Sequence, residues 1–203
     1  MKKLNLLTIL IILAFAGINF GQSITGTPHD FSGQTSWNPT GEKCVVCHTP
    51  HNAIANVEPL WNHELSTATY TLYTSSTLDA TLGQPDGPSK LCLSCHDGTV
   101  AIDNFGGKTT GAEFVTGDKN LGTDLSNDHP VSFTYDATLA TTDGGLFDPT
   151  TQSSGLGGTI DHDMLTSNKV QCSSCHNPHN DQYGSFLVKS NGGSALCLTC
   201  HNK

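Results

Sequence analysis

Cys44-Val-Val-Cys47-His48, Cys92-Leu-Ser-Cys95-His96, Cys172-Ser-Ser-Cys175-His176 and Cys197-Leu-Thr-Cys200-His201 are the stretches on which this chain turns. All eight cysteines of the 203 residues lie inside them. Two cysteines separated by two residues, with histidine directly after the second, give what covalent attachment of a c-type haem needs. Each thiol adds to one vinyl group of the porphyrin, and the adjacent imidazole reaches the iron. Disulfides, zinc ribbons and thioredoxin-type redox pairs also use closely spaced cysteines, but none requires the histidine. Ten histidines in 203 residues is about one in twenty, so four of four by chance has odds of about one in 10⁵. The expected cofactors are four covalently attached haem c groups.

The N-terminus has the form of a secretory signal over residues 1–23. Lys2 and Lys3 precede an apolar run from Leu4 to Phe20, and small residues follow at Gly21 and Ser23. Cleavage is expected after Ser23, with Gly21 as the alternative, leaving residues 24–203 with no transmembrane segment. Export agrees with haem attachment outside the cytoplasmic membrane, and the expected location is extracellular or cell-surface, alternatively periplasmic.

About 180 residues then remain, only 35% of the chain is hydrophobic, and there are 21 glycines. That apolar fraction is low for a globular domain. Four porphyrins, at about 45 residues each, would supply the missing apolar surface, so the expected core is a haem stack wrapped by polypeptide. Net charge is −9, and −11 once Lys2 and Lys3 are removed, with seven cationic side chains against eighteen anionic. This excludes nucleic acid as a partner and permits cationic redox partners. Charged residues make up only 13%, a weak sign of self-association.

The chain repeats itself. CVVCHTPHN (Cys44 to Asn52) is followed by LCLSCH (Leu91 to His96), and CSSCHNPHN (Cys172 to Asn180) by LCLTCH (Leu196 to His201). The two-haem units span 24–107 and 159–203, joined by a Gly/Thr/Asp-rich segment, 108–158. No window has a long amphipathic helical pattern. The expected fold is small and mostly irregular, with short helices carrying the CxxCH motifs and a C-terminal helix near Ala195 to His201. Short strands are expected at Ala112 to Thr116 and Val131 to Tyr135, and a loop over the glycine-heavy Gly144 to Gly158.

The proximal iron ligands are His48, His96, His176 and His201. Only Met164 survives signal removal as a methionine, whereas His29, His51, His63, His129, His162 and His179 remain, so bis-histidine iron is expected. His51 lies three residues after His48, and His179 three after His176. So short a peptide cannot pass round the porphyrin edge, so each must serve another haem, with His51 expected opposite His96 and His179 opposite His201. For the haems of His48 and His176 the preferred distal ligands are His29 and His129, each beside an aspartate able to orient the ring. His63 is close behind them, and His162, between Asp161 and Asp163, resembles a solvated loop residue.

The chain resembles the doubled-CxxCH multihaem cytochromes c. The resemblance rests on His29-Asp30-Phe31-Ser32, CVVCHTPHN, Pro59-Leu60-Trp61-Asn62, LCLSCHDGTVAIDNFGG, Asp128-His129-Pro130-Val131, CSSCHNPHN and the final LCLTCH. It is most similar to the tetrahaem cytochromes that form extracellular filaments, of the outer-membrane cytochrome E type. That resemblance implies a continuous stack of bis-histidine haems, a head-to-tail homo-oligomer, and one distal histidine per subunit supplied by its neighbour, for which His29 on a short N-terminal arm is suited. Electron transport to redox partner proteins or extracellular acceptors is the expected function, with no catalytic residues. The alternatives are a soluble periplasmic shuttle and a multihaem oxidoreductase of small nitrogen compounds with one open haem.

Overall fold

The computed structural model describes residues 23–203; the leader assigned to residues 1–23 lies outside them except for Ser23. Five short α-helices occur among these residues: α1 (Gly87–His96), α2 (Ala137–Asp143), α3 (Ile160–Asp163), α4 (Cys172–Cys175) and α5 (Cys197–Cys200). Two strands, β1 (Phe133–Thr134) and β2 (Lys169–Val170), pair antiparallel with Phe133 opposite Val170. Three 3-10 turns (Phe31–Gly33, Gly117–Lys119 and Gly192–Ser194), isolated bridges, turns and coil make up the rest. Three of the four CxxCH motifs therefore sit on helices, while the first is a single turn closed by His48 N donating to Cys44 O at 2.8 Å.

Local chemistry sets the helix limits. Pro88 stands in the first turn of α1, where a missing N–H costs nothing. The Asp136 side chain accepts from Leu139 N at 2.9 Å to start α2, and Gly144, at φ 69°, ends it. This helix was not expected from sequence, although Asp136 and Gly144 bracket it with ordinary start and stop residues.

The expected strand at Ala112 to Thr116 does not form. The Asp103 carboxylate takes the amides of Ala112 and Glu113, both at 3.0 Å, and Ile102 N bonds to Glu113 O at 2.6 Å. A side chain thus occupies the donors a neighbouring strand would have used. Residues Val131 to Tyr135 do contain β1, and most of Gly144 to Gly158 is turn and loop.

The apolar core is small and split. Phe133, Tyr135, Ala140, Ile160, Met164, Val170 and Leu196 form one cluster; Tyr70, Leu93 and Leu125 form another. Met164 is buried in the first cluster, which accounts for it as packing. The joining segment 108–158 supplies part of both clusters through Leu125, Phe133, Tyr135 and Ala140, so it packs into the structure as well as linking the units.

Polar bonds tie the two units together. Gln171, just before α4, is 2% exposed. Its Nε2 donates to Asp86 Oδ1 at 3.0 Å, and its Oε1 accepts from Ser89 N at 3.2 Å and Ser132 Oγ at 3.1 Å. Ser89 Oγ in turn accepts from Cys172 N at 3.0 Å, bringing the second and third motifs side by side. Replacing Gln171 with alanine leaves buried partners unsatisfied, so guanidinium unfolding of the haem-loaded protein should show a loss of about 1–3 kcal/mol. An unchanged midpoint would remove this junction from any role in stability.

Candidate functional site

The eight cysteines are free thiols, and those of successive motifs are neighbours. Cys47 faces the field of Cys44 and lies near enough to Cys95 to raise its pKa; Cys92 shares a hydrogen bond with Cys172; Cys175 lies beside Cys197 and Cys200. The motifs therefore follow one another in space in their order along the chain. Burial pushes the Cys47 and Cys200 thiols up to about 11. Among the described residues no three or more His, Cys, Asp or Glu side chains gather as a metal site, so the cysteines do not form the four-ligand set of a structural zinc.

Each motif histidine is gripped by a backbone strap. His48 Nδ1–H donates to Pro59 O at 2.7 Å, Thr49 N to Leu60 O at 3.0 Å, and Asn62 N to Cys47 O at 2.9 Å. The third motif repeats this pattern, with His176 Nδ1–H on Ser185 O at 2.8 Å, Asn177 N on Phe186 O at 2.7 Å and Val188 N on Cys175 O at 2.9 Å. At the fourth, Asn202 N bonds Gly145 O at 2.8 Å and Phe147 N bonds Cys200 O at 2.9 Å. At the second, His96 Nδ1–H donates to Lys119 O at 2.8 Å. A carbonyl oxygen can only accept, so Nδ1 of His48, His96 and His176 carries the hydrogen and Nε2 keeps a free lone pair, the tautomer a metal needs.

Opposite three of these rings stands a second imidazole. His48 and His179 have ring centres 6.1 Å apart, His96 and His29 6.0 Å, and His201 and His129 6.3 Å. Two metal–nitrogen bonds of about 2 Å plus the ring radii would put the centres about 6.3 Å apart, so the donor sets fit an iron held between them. Burial is the main cause lowering the pKa of His29, His179 and His201, with the facing imidazole next for the latter two as for His29. Both effects keep the rings neutral, as ligands must be.

Other observations also fit a porphyrin. Trp61 Nε1, beside the His48 ring at 5.8 Å, and Ser173 Oγ, inside the third motif, are buried without a hydrogen-bond partner. Such orphans are costly and require a partner that the polypeptide does not supply. Leu60 and Leu198, in the strap at the first motif's histidine and within the fourth motif, are 57% and 44% exposed, apolar surface for a flat apolar group to cover.

The pairing differs from expectation. His179 faces His48 of the other unit, where His201 was expected; His29 faces His96 and His129 faces His201, where His48 and His176 were expected. His51 is exposed, and among the described residues no imidazole stands opposite it or His176. His63 is fully buried, with Nδ1 against Glu64 O at 2.8 Å and Nε2 against Ala101 O at 3.0 Å, and lies 3.4 Å from Cys95 Sγ. Both its nitrogens face backbone carbonyls, so neither is turned toward an open position where an iron could sit. His162 is an exposed partner of Asp163, at 2.7 Å.

His29 is not on a free arm. Its ring stacks on Phe186 at 4.4 Å and 18°, its Nδ1 lies 3.4 Å from Pro178 O, and Phe31, Trp37 and Phe105 continue the aromatic contact. Asn38, 1% exposed, ties the arm by donating to Phe31 O and Glu42 O, both at 3.0 Å. Pro59, Leu60 and Asn62 entered the sequence reading only through the resemblance, and the His176 strap with Phe186 was not singled out: Leu60 and Phe186 take φ of 54° and 57°, and a bulky side chain in that region carries no compositional signal.

The family model of the doubled CXXCH motif matches residues 162–203. No curated protein matches the chain. The matched stretch is consistent with a multihaem c-type cytochrome, and the CxxCH motifs indicate covalently bound haem c, as in electron-transfer proteins. No helix among the described residues is long and apolar enough to cross a membrane.

An aromatic pair contributes about 0.5–1.5 kcal/mol, so Phe186→Ala should raise hydrogen exchange at the Asp30 and Asn38 amides about 2- to 10-fold. Unchanged exchange there would mean that Phe186 does not hold the arm.

Proposed function

We propose that the chain is an exported tetrahaem cytochrome c that conducts electrons along a row of bis-histidine haems and continues that row from one copy to the next. Haem iron, when bound, supplies one-electron exchange; the residues of this chain hold it and set its neighbours. Cys44, Cys47, Cys92, Cys95, Cys172, Cys175, Cys197 and Cys200 would carry the porphyrins. His48 with His179, His96 with His29, and His201 with His129 would hold three irons.

The observation that carries this proposal is what remains over. Among the described residues no imidazole faces His176, and none faces His51. His29, upstream of the first unit's motifs, faces that unit's second motif, and His129, in the joining segment upstream of the second unit, faces the second motif of that unit. The Pro-His-Asn histidine of the second unit, His179, faces the first motif of the first unit. Continuing the same rule, His51 of one copy would face His176 of another. That contact joins unlike surfaces and closes no ring, which is the geometry of a filament. His51 thereby replaces His29 as the residue that joins subunits.

A second reading has one observation in its favour, since the same unpaired His176 could mark a haem left open for a small nitrogen compound in an oxidoreductase. Carbon monoxide binding by the reduced protein separates the two. In filaments every haem should resist it, and in His51→Ala one haem per chain should bind. The His51→Ala secreted fraction should also lack filaments under the electron microscope, with His162→Ala unaffected. Filaments and haem spectra unchanged in His51→Ala would sink the subunit linkage. Uptake of carbon monoxide by intact wild-type filaments would favour the open-haem enzyme, and a wild type that forms no filaments while all four haems resist it would favour the soluble shuttle.

A further inference from the structure

The second motifs of the two units are close in sequence, LCLSCH and LCLTCH, but differ in the next residue. Asp97 follows His96, and Asn202 follows His201. Asp97 is 3% exposed, whereas Asn202 is exposed. Around Asp97 the structure converges hydrogen-bond donors. Oδ2 accepts from Tyr70 Oη at 2.6 Å and from Ser66 Oγ, and Oδ1 accepts from Thr99 N at 2.7 Å and Thr99 Oγ1 at 2.8 Å.

Four donors on two oxygens suit a carboxylate and leave no acceptor assigned to a carboxylic proton. None of the four is charged, and among the described residues Asp97 forms no salt bridge. The negative charge is therefore solvated by neutral dipoles and not cancelled. The rest of the pocket offers no compensation: Ser94 Oγ, on α1, accepts from Ser66 N at 3.0 Å, and Leu93 and Tyr70 pack close by.

We propose that the buried carboxylate of Asp97 sets the reduction potential at the His96–His29 position below that at the His201–His129 position, making the row of four electrically uneven. This rests on the proposal that those pairs hold haem iron. Passing from ferric to ferrous takes up one electron, with no proton required, and lowers the positive charge by one. A fixed anion beside the site favours the ferric side, and the low dielectric of a buried position keeps the field from being screened. Asn202 supplies no such field at the other second motif, where Asp143 and Lys203, of opposite sign, both act on His201.

The experiment is a spectroelectrochemical titration of the full haem-loaded chain. Asp97→Asn should raise one of the four midpoint potentials and leave the others and the low-spin spectra unchanged. Tyr70→Phe keeps the carboxylate but removes one dipole that stabilises it, so the same potential should fall. A structural disturbance would not give opposite signs. Unmoved potentials in Asp97→Asn, or shifts of the same sign in both variants, would overturn the inference. Should Asp97→Asn not fold, Tyr70→Phe decides alone, with a fall supporting the inference and no change or a rise overturning it. Pyridine haemochrome analysis of the wild type distinguishes this failure from that of the haem assignment, because absence of covalent haem would overturn the latter outright.

Discussion

A histidine three residues beyond a proximal histidine cannot stand across the same porphyrin, and this reach limit governs the architecture. It applies to His51 and His179 alike. The structure answers it for His179 by crossing between units to His48. Crossing demands that the two units lie against each other, which is what the Asp86–Gln171–Ser89 bonds and the Cys92–Cys172 contact achieve. The arm bearing His29 depends on the same arrangement, because Phe186 and Pro178, which hold its ring, belong to the other unit.

Such an arrangement would be unstable on protein contacts alone. The two apolar clusters are small, and buried serine, asparagine and glutamine fill much of the space between motifs. The backbone straps at His48 and His176 put leucine and phenylalanine at positive φ, a conformation that costs roughly 1 kcal/mol or more for such residues. The polypeptide accepts orphaned groups at Trp61 and Ser173 as well. These are the marks of a wrapper whose remaining contacts are made by bound groups, in keeping with attachment and folding being one process.

Much of this was legible in the sequence, and the limit of legibility has a physical cause. The CxxCH spacing gave haem c because two vinyl groups and one iron fix three residues in a row. The doubled motif and the low apolar content gave an irregular wrapper with short helices. The reach limit ruled out a wrong ligand for each haem but left the right one open. Choosing between His201 and His48 for His179 needs the mutual orientation of the units, and that is set by side-chain bonds from Asp86 and Gln171, 85 positions apart. His63 looked suitable because Trp61 and Glu64 flank it; only the folded backbone shows the Glu64 and Ala101 carbonyls taking both ring nitrogens.

The internal repeat is related to itself by a step rather than by a closed symmetry, and a stepwise repeat of two has two unsatisfied ends. Within one unit the upstream histidine serves the same unit, so it adds nothing to the open ends. The Pro-His-Asn histidine of the second unit, His179, faces the unit before it, so on the proposed reading unit one would have a histidine without a haem and unit two a haem without a histidine. Neither end can be repaired by local rearrangement: His51 is fixed to His48 by the Thr49–Pro50 turn, in which Thr49 Oγ1 donates to His51 O at 2.8 Å, and the His176 ring is fixed by Ser185 O. Two ends of one broken step are complementary by construction. On the proposed reading, the same duplication that pairs haems inside a chain would leave it shaped for another copy of itself.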